Sequence, residues 1–523
     1  MRLRTVGAVA VGLLSFLAYW ATLAPGLTWA HDGADGGDLA AAVAVGGIPH
    51  PPGYPTYLLL GRLFAALPVG DVAFRLNLMS AACAAMAVGL VFVIVVLIVV
   101  CICGEDSLLV LGAAAAAALV FAFSPVFWSQ AVITEVYALN ALFVALVLLL
   151  ALRPRTSPVL ISFVLGLGLG NHLSLLLLAP TALLVRLPAP WVRPLSLGAS
   201  MKRIASCGLA IASGLAVYLV LPLRAASNPL VNWGDARTLD RFWWLVSGGP
   251  YRPYVFGLPI ADLPGRLSAW AALLVQQFGW IGIALALFGL WDMLAAGRAK
   301  KDGRVAWALL LLVGLYSLYA LGYHTADSYI LLIPVYLVAA LWLGRGLYTA
   351  VTAVLLWAAG QKWWSGATQR FLLVLAAVVL FLLPMAQYQA NQAAADLSGD
   401  RTARDYVDQA LAVLPISAMV VTGSDEHTFA LWYGQATRER GDVLVVDRDL
   451  TQFRWYRDLL RQRSPELVAV PDSDDPATYV PDLVEAVRQR RDVFLADADQ
   501  ALQKTFRWQD HGVVRRLVGP GGP

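Results

Sequence analysis

Charged side chains are scarce in this chain: Lys, Arg, Asp and Glu make up 14% of its 523 residues, whereas 59% are hydrophobic. This composition excludes an ordinary soluble protein, in which about a quarter of the residues are charged. Apolar stretches of membrane-spanning length recur from residue 5 to about residue 388. Because lipid offers the backbone no hydrogen-bond partners, each crossing must be helical. The sequence therefore predicts a polytopic α-helical membrane protein with about eleven spans.

Cysteine is also scarce, and the four cysteines all fall in predicted spans: Cys83, Cys101, Cys103 and Cys207. Neither a disulfide framework nor a zinc site is therefore indicated. The net charge of +4 gives no argument for nucleic-acid binding. No cofactor is predicted. The acidic residues would allow a divalent metal ion, but their spacing is not typical of metal ligands, so a metal is not indicated.

Lys and Arg are concentrated in a few segments: near Arg153 and Arg155, and at 186–203, 298–304 and 345–370. Cytoplasmic loops are enriched in these residues, so the N-terminus is predicted to lie in the cytoplasm and the C-terminal part outside. The first span, roughly 5–25, is predicted to be a retained anchor in the cytoplasmic membrane. This threading places the following segments together on the outer face: 26–71, 124–137, 171–172, 224–264 and 323–329.

The composition changes near Ala390, because 21 of the 34 acidic residues lie in the last 134 positions. A transmembrane domain is therefore predicted for 1–389 and a soluble extracytoplasmic domain for 390–523. Short apolar runs alternate with helical stretches in the second domain, which predicts a small α/β layer. The apolar runs are 418–422, 443–447 and 493–496, and the helical stretches are 451–463 and 477–491.

The first outer loop reads WAHDGADGGDLAAAVAVGGIPHPPGYPTY from Trp29 onward. Asp35 and Asp38 precede an Ala/Val run, so either could simply begin or cap a short helix. Capping does not explain His50 and Tyr54, which the prolines fix at the membrane surface, although His50 alone is also typical of an interfacial histidine. A carboxylate on a preorganised loop is well suited to removing a proton from an acceptor hydroxyl. Asp35 and Asp38 are therefore candidate catalytic bases, with the choice between them open.

Two further outer segments carry polar groups in apolar surroundings. Glu135 lies among aromatic residues at the start of a span, where an ionisable group is costly and often functional. The alternative is an acid favoured by the helix dipole. Asn171 and His172 interrupt the apolar run GLGLGNHLSLLLL and either turn the chain between two short spans or line the site.

The long outer loop mixes arginine and aromatic residues in RAASNPLVNWGDARTLDRFWWLVSGGPYRPY. Guanidinium groups match phosphate oxygens, and aromatic faces stack on sugars. The alternative is an aromatic belt in which arginines extend to the membrane surface. The candidate substrate-binding residues here and in the last outer loop are Arg224, Asn232, Trp233, Asp235, Arg252 and Asp327.

The run ADGGDLAAAVAVGGIPHPPGYPTYLLLGRLF resembles the signature of a bacterial family of membrane glycosyltransferases with the GT-C fold, long catalogued as a domain of unknown function. A vertebrate transmembrane O-mannosyltransferase of receptor ectodomains is a relative of that family. Asp35 matches the Asp of the signature, Asp38 stands where the family more often has Glu, and 50–55 match in full. The resemblance extends to WSQAVITEVYALN, GLGLGNHLSLLLLAP and LPLRAASNPLVNWGDARTLDRFWWLVSGGPYR, and less specifically to SDEHTFALWYGQ.

This resemblance implies a GT-C-like fold, an acid of the first outer loop as catalytic base, and a polyprenyl-phosphate-linked sugar as donor. The expected function is inverting transfer of that sugar at the outer membrane face to a hydroxyl acceptor, either protein Ser/Thr or a cell-envelope glycan. Asp35 or Asp38 would be the base, and Arg224, Arg252, His50 or His172 would meet the departing phosphate. Glu135 and Asp235 would bind sugar hydroxyls or orient those donors.

Two other classes of function compete with this expectation. A transporter or flippase of a lipid-linked sugar would also place polar groups within spans, but usually near the bilayer midplane and in repeated halves. This chain has its polar motifs at one face and no visible repeat, which favours the enzyme. A third hypothesis is a non-catalytic scaffold whose 390–523 domain binds cell-wall polymer.

Overall fold

The structure is a computed structural model that describes residues 2–104, 107–186, 196–299, 303–362 and 364–521. Several charges used in the topology prediction lie outside the described residues. They are Arg193 and the pair Lys300 and Lys301.

The first three quarters of the chain are built from helices joined by short loops and 3₁₀ turns, as expected for segments that must satisfy their own backbone hydrogen bonds in lipid. The helices are α1 (Arg2–Ala21), α2 (Asp35–Val45), α3 (Pro55–Ala65), α4 (Val72–Cys103), α5 (Leu108–Ala122), α6 (Pro125–Ala131), α7 (Tyr137–Leu152), α8 (Pro158–Leu169), α9 (Ala179–Arg186), α10 (Leu197–Leu215), α11 (Val220–Ala226), α12 (Leu239–Val246), α13 (Leu263–Ala299), α14 (Arg304–Gly322), α15 (Ile333–Ala359) and α16 (Gly366–Ala395).

Among the described residues, seven helical segments are long and apolar enough to cross a membrane, and the bent pair α5–α6 makes an eighth if it is one span. Three further apolar segments are shorter, at 10–17 residues: α7, α8 and Leu173–Arg186. The seven long segments, the bent pair and the three shorter segments together correspond to the predicted number of about eleven apolar segments. Polar and Gly/Pro breaks divide apolar sequence into short pieces: the chain bends by 69° between α5 and α6, and α8 ends just before Asn171.

Helices α4 and α15 form the centre of the bundle. Helix α4 packs against α1, α5 and α7, and α15 packs against α13 and α5. Every residue of α15 from Ile333 to Tyr348 is buried. These two apolar helices fix the positions of the outer helices and of the loops that join them.

The predicted motif segments meet at one end of the bundle, here called the motif end. The Thr56 N–H donates to the Gly170 carbonyl at 3.0 Å, and the backbones at Ile48 and Asn232 form a β-bridge. The Tyr329 hydroxyl donates to Asp32 at 2.5 Å. Basic residues lie at the opposite end, where Arg186 donates to carbonyls of 153–156 and Arg304 lines a cavity with Cys101.

The C-terminal part forms a five-stranded sheet with strand order β2-β1-β3-β5-β4. Strands β1, β2 and β3 are parallel, and β4 and β5 form an antiparallel hairpin at one edge. The elements are α17 (Thr402–Val413), β1 (Met419–Thr422), α18 (Asp425–Thr437), β2 (Leu444–Asp447), α19 (Arg454–Arg463), α20 (Pro476–Val487), β3 (Val493–Leu495), α21 (Gln500–Thr505), β4 (Phe506–His511) and β5 (Val514–Pro520). The small α/β layer is thus confirmed. Helix α16 continues past the predicted boundary at residue 390, to Ala395.

The sheet domain rests on the motif end through α18, which packs along α2. Gly37 makes this possible, because α2 has no side chain where it faces the Phe429 backbone, whereas Gly36 faces Thr134. A Cβ atom on Gly37 would lie 2.7 Å from the Phe429 carbonyl carbon. A second contact joins the parts, since Arg241 donates to Asp458 of α19 at 2.7 Å.

Candidate active site

Asp35 and Asp38 both lie in the first turn of α2, three residues apart and so on neighbouring parts of one helix face. Neither residue is the helix cap, because the N-cap position is Ala34 and no side chain makes a cap hydrogen bond. The capping explanation of these acids is therefore wrong. Their charges still suit the positive end of the helix dipole.

The Asp38 carboxylate is fully buried and both of its oxygens are occupied. Oδ2 accepts the His50 backbone N–H at 2.7 Å and lies 2.8 Å from His50 Nδ1. Oδ1 accepts the Trp233 indole N–H at 3.1 Å. Asp38 therefore fixes the position of His50 and joins the first outer loop, residues 26–71, to the 224–264 loop.

His50 lies at the centre of the motif end, where it is 3% exposed. Its Nε2 atom is 3.1 Å from the Tyr54 hydroxyl, and its ring stacks on Phe429 of α18 with 6.4 Å between centroids. Burial alone would lower the pKa of His50, but Asp35 and Asp38 raise it to about 9. The ring is therefore an imidazolium at neutral pH, held by carboxylates on two sides.

The backbone after His50 turns sharply to bring Tyr54 back to that ring. Gly53 has φ 85° and Tyr54 has φ 41°, both in the left-handed region. An aromatic residue adopts such a backbone only where its surroundings compensate for the strain. The HPPGYP sequence therefore serves to place the Tyr54 hydroxyl on His50 Nε2.

Asp35 has the opposite environment to Asp38, because 44% of its side chain is exposed, into the cleft at the motif end. Its Oδ2 atom is 3.4 Å from His50 Nε2. Desolvation by the surrounding residues raises the pKa of Asp35, the His50 cation lowers it, and Asp38 and Asp327 raise it further. Asp35 is thus an accessible carboxylate with an increased affinity for a proton.

Glu135 lies near these groups but deeper, at 4% exposure, in the turn that precedes α7. Burial and the charge of Asp35 raise the pKa of Glu135 well above its ordinary value. The Asn171 side-chain amide donates to the Val136 carbonyl at 3.1 Å and so supports this turn. His172 caps the following 3₁₀ turn, where its Nδ1 accepts the Ser174 N–H at 3.2 Å. The 171–172 pair therefore both turns the chain and braces the Glu135 segment.

The 224–264 loop contributes Trp233 to the site and uses its other polar groups mainly for its own structure. Asp235 is fully buried and accepts hydrogen bonds from Arg237 at 2.6 and 2.7 Å and from Arg241 at 2.5 Å. Asn232 donates to Asp235 at 3.3 Å. The Asp235 carboxylate is therefore occupied by arginine partners in this arrangement.

The structure does not bring Arg224 and Arg252 to the carboxylates. Arg224 donates to the Gly47 carbonyl at 3.0 Å, just beyond the far end of α2. That helix has 11 residues, which separates Arg224 from Asp35 by about 16 Å. Arg252 is exposed and donates to the Ser247 hydroxyl.

A cavity of about 480 Å³ lies between α6, α13 and the 326–332 turn and contains an arginine that the sequence analysis missed. Arg266 of α13 lines it and donates to the Ser328 hydroxyl at 2.5 Å and the Thr325 carbonyl at 2.8 Å. His31 and Tyr329 also line it, and the apolar walls include Val126, Leu273 and Leu332. An arginine inside the first turns of an apolar segment is itself a signal of function, which could have identified Arg266. Asp327 is adjacent to Ser328, which lines this cavity. Its negative charge raises the pKa of both Asp35 and Glu135, so the cavity and the carboxylates interact electrostatically.

Within the residues that the structure describes, no group of three or more His, Cys, Asp or Glu side chains is arranged to hold a metal ion. The acids near the cleft are instead placed around His50 or against backbone groups.

Two family models match the chain. The first, described as the protein O-mannosyl-transferase TMEM260 N-terminal domain, covers residues 35–191, and the second, TMEM260-associated domain 2, covers residues 403–515. The chain is related to the TMEM260 family. The protein O-mannosyl-transferase TMEM260 of Mus musculus is 27% identical over 462 residues, and its Dictyostelium discoideum counterpart is 26% identical over 293 residues. These matches cover 83% and 50% of this chain but only 62% and 34% of the relatives, so the chain spans less than two thirds of each TMEM260 protein's length.

Solved structures show the same fold at low sequence identity. ArnT from Cupriavidus metallidurans, in a crystal structure with undecaprenyl phosphate, matches with TM-score 0.61 and 14% identity over 99% of both chains. An oligosaccharyltransferase from Archaeoglobus fulgidus matches with TM-score 0.50 and 12% identity over 91% of this chain and 72% of that protein. The predicted GT-C-like membrane fold is thereby confirmed, and the relation to the O-mannosyl-transferases agrees with the resemblance in the motif loops.

Proposed function

We propose that this chain is an inverting membrane glycosyltransferase that moves a sugar from a polyprenyl-phosphate donor to a hydroxyl acceptor at the extracytoplasmic face. The observation that carries the proposal is the pairing of an accessible carboxylate, Asp35, with a buried imidazolium, His50, whose position Asp38 fixes. The description of the relatives as protein O-mannosyl-transferases supports the reaction class. The undecaprenyl phosphate in the ArnT structure supports a lipid-linked donor.

Asp35 acts as the general base in this mechanism. The acceptor oxygen attacks the anomeric carbon as its proton passes to an Asp35 oxygen, and the bond between that carbon and the phosphate oxygen breaks. The raised pKa of Asp35 suits this task, since a base is most effective when its pKa is close to the working pH. Asp38 cannot take this role without losing the hydrogen bonds that orient His50 and Trp233.

The departing polyprenyl phosphate requires positive charge and a water-poor surrounding. His50 supplies an imidazolium next to the base, and Arg266 supplies a guanidinium in the adjacent cavity, whose apolar walls suit the first isoprene units of the lipid. Glu135 and Asp327 lie on the same side and bind sugar hydroxyls. Arg224, beyond the far end of α2, is placed to attract lipid phosphate at the membrane surface rather than to meet the leaving group.

The names of the relatives make mannose the first donor sugar to test, and Ser or Thr of a protein the first acceptor, with an envelope glycan as the second. Purified protein in lipid nanodiscs is incubated with radiolabelled polyprenyl-phosphate mannose and a Ser/Thr peptide or an envelope-glycan acceptor. We expect label to move to one acceptor class and the Asp35→Asn variant to transfer none above background.

The competing flippase function predicts a different outcome of the same preparation. Reconstituted in sealed vesicles, a flippase would move the labelled lipid between leaflets with the sugar still attached. Translocation without sugar transfer, over a panel of polyprenyl-phosphate sugars, would reject the enzyme proposal. Release of sugar without an acceptor product would indicate that the acceptor class is wrong.

A further inference from the structure

The C-terminal domain reaches the proposed active site through the start of α18. The Trp29 indole N–H donates to the Glu426 carbonyl at 3.2 Å, and the Phe429 ring stacks on His50. Because Gly37 lies against the Phe429 backbone, α18 begins beside the start of α2. The cleft into which Asp35 opens is therefore bordered on one side by the soluble domain.

Asp425, the first residue of α18, faces this cleft. It precedes Phe429 by four residues and so lies on the helix face that contacts α2 and His50. The residue is exposed, and its carboxylate has neither a hydrogen-bond nor an ion-pair partner among the described residues. It belongs to the SDEHTFALWYGQ element, for which the proposed mechanism has no role.

Titratable groups of several elements surround Asp425. They are Asp35 and Asp38 on α2, His50 in the first motif loop, Tyr251 in the turn after α12, and Asp447 on β2. Desolvation, then the charges of Asp35 and Asp447, raise the pKa of Asp425 to about 7, with His50 opposing the rise. Asp425 thus changes charge in the range where the enzyme would work.

We propose that Asp425 is a positioning residue for the acceptor, so that the soluble domain completes the acceptor side of the active site. The proposed donor cavity is lined by residues of α6, α13, α16 and the 326–332 turn and by none of α18, so the acceptor is assigned to the α18 side of Asp35. An ionised Asp425 accepts a hydrogen bond from an acceptor N–H or O–H group and holds the reacting hydroxyl beside Asp35. This inference rests on the proposed transferase function.

The charge at this side of the cleft also selects among acceptors. Asp35 and Asp425 together repel a carboxylate next to the acceptor hydroxyl and attract an ammonium group. We expect acceptors flanked by lysine to be used better than acceptors flanked by aspartate. The difference should grow as pH rises through about 7, where Asp425 ionises.

The test compares Asp425→Asn with the matched control Glu426→Gln. The control substitution is at the next residue in the sequence and also removes one negative charge. Initial rates are measured with neutral, lysine-flanked and aspartate-flanked acceptors from about pH 6 to about pH 8. In the wild type we expect the acceptor KM to fall as pH rises. In Asp425→Asn we expect the KM of the neutral acceptor to lose this pH dependence and to be about tenfold above the wild type at the alkaline end. The donor KM should not change in either variant.

Three results separate failure of this inference from failure of the proposed function. If wild-type protein transfers sugar but Asp425→Asn matches Glu426→Gln in acceptor KM and in preference for lysine, Asp425 has no positioning role. If Asp425→Asn raises donor and acceptor KM equally and lowers the melting temperature, its role is structural and the inference is also wrong. If the wild type transfers no sugar to any acceptor, the transferase proposal itself fails.

Discussion

At the scale of single residues, two aspartates of the same helix turn have opposite environments. Asp38 is surrounded by His50 and Trp233, whereas Asp35 opens into the cleft. Environment rather than residue type decides which carboxylate of such a pair takes part in proton transfer. The sequence left this choice open because the deciding neighbour, Trp233, lies 195 residues away from Asp38.

The first prediction separates the two aspartates by substitution with asparagine. Asp35→Asn removes the base, so we expect kcat to fall on the order of a hundredfold or more with little change in melting temperature. Asp38→Asn replaces one carboxylate oxygen by an NH₂ group, which cannot accept the hydrogen bonds that His50 or Trp233 donates to Asp38. A buried donor is then left unpaired, which costs about 1–3 kcal/mol of stability. Steady-state kinetics and thermal unfolding in detergent measure both. A wild-type rate for Asp35→Asn in a folded protein would make Glu135 the leading candidate.

The second prediction concerns pH. Transfer requires Asp35 ionised, so the acid limb of kcat/KM lies above that of an ordinary aspartate because the pKa of Asp35 is raised. It also requires the His50 cation, which is present below its pKa of about 9 and lost as pH rises through that value. Asp38→Asn removes a charge that raises the pKa of His50, so the alkaline limb moves to lower pH. An alkaline limb unchanged by this substitution would show that His50 does not titrate in the reaction.

At the scale of elements, the contact of α2 with α18 depends on a residue without a side chain, Gly37. Gly36 and Gly37 are both helical residues, but they face different neighbours: Gly36 lies against Thr134 and Gly37 against the Phe429 backbone. The missing side chain of Gly37 lets α18 approach α2 and His50. The DGGD motif therefore combines the proposed base, Asp35, with an acid that fixes His50 and with the packing surface for the second domain.

The third prediction tests this contact with Gly37→Ala. The new methyl group would lie 2.7 Å from the Phe429 carbonyl carbon and 2.8 Å from its oxygen, so α18 must move away. We expect a loss of about 1–3 kcal/mol in stability and a lower rate. Gly314→Ala in α14 is the control, because no atom lies within 4 Å of its added carbon. Equal melting temperatures for the two variants would contradict the packing role.

Elements with a strong apolar pattern could be predicted from sequence. Exposed strands, and helices interrupted by polar residues, could not. The three predicted apolar runs became β1, β2 and β3, and every residue of these strands is buried, which explains their continuous apolar sequence. The hairpin β4–β5 was missed, since its sequence RWQDHGVVRRLVGP is charged and mostly exposed at the sheet edge. In the membrane part, polar breaks such as Asn171-His172 divided apolar sequence into segments too short to count as full spans.

At the scale of the whole molecule, the chain has two chemically different ends. The motif loops and the C-terminal domain lie at one end, with the cleft between them. Arg153, Arg186 and Arg304 lie at the other, as do the start of α1 and the end of α15. Positive charge near span ends marks the cytoplasmic side of a membrane protein. The proposed orientation therefore places the active site and the sheet domain outside the cell.

The last prediction tests this orientation by single-cysteine labelling in a background without the four native cysteines. Gly399→Cys lies between α16 and α17 at the motif end, and Gly360→Cys lies just after α15 at the opposite end. Both glycines are exposed, so neither substitution disturbs packing. Because Arg153, Arg186 and Arg304 are at the Gly360 end, we expect a membrane-impermeant maleimide to label Gly399→Cys in intact cells. The same reagent should label Gly360→Cys only in inverted vesicles. The reverse labelling pattern would place Asp35 on the cytoplasmic side. The lipid-linked donor would then have to be used from the cytoplasmic leaflet, and the outer-face mechanism would be wrong.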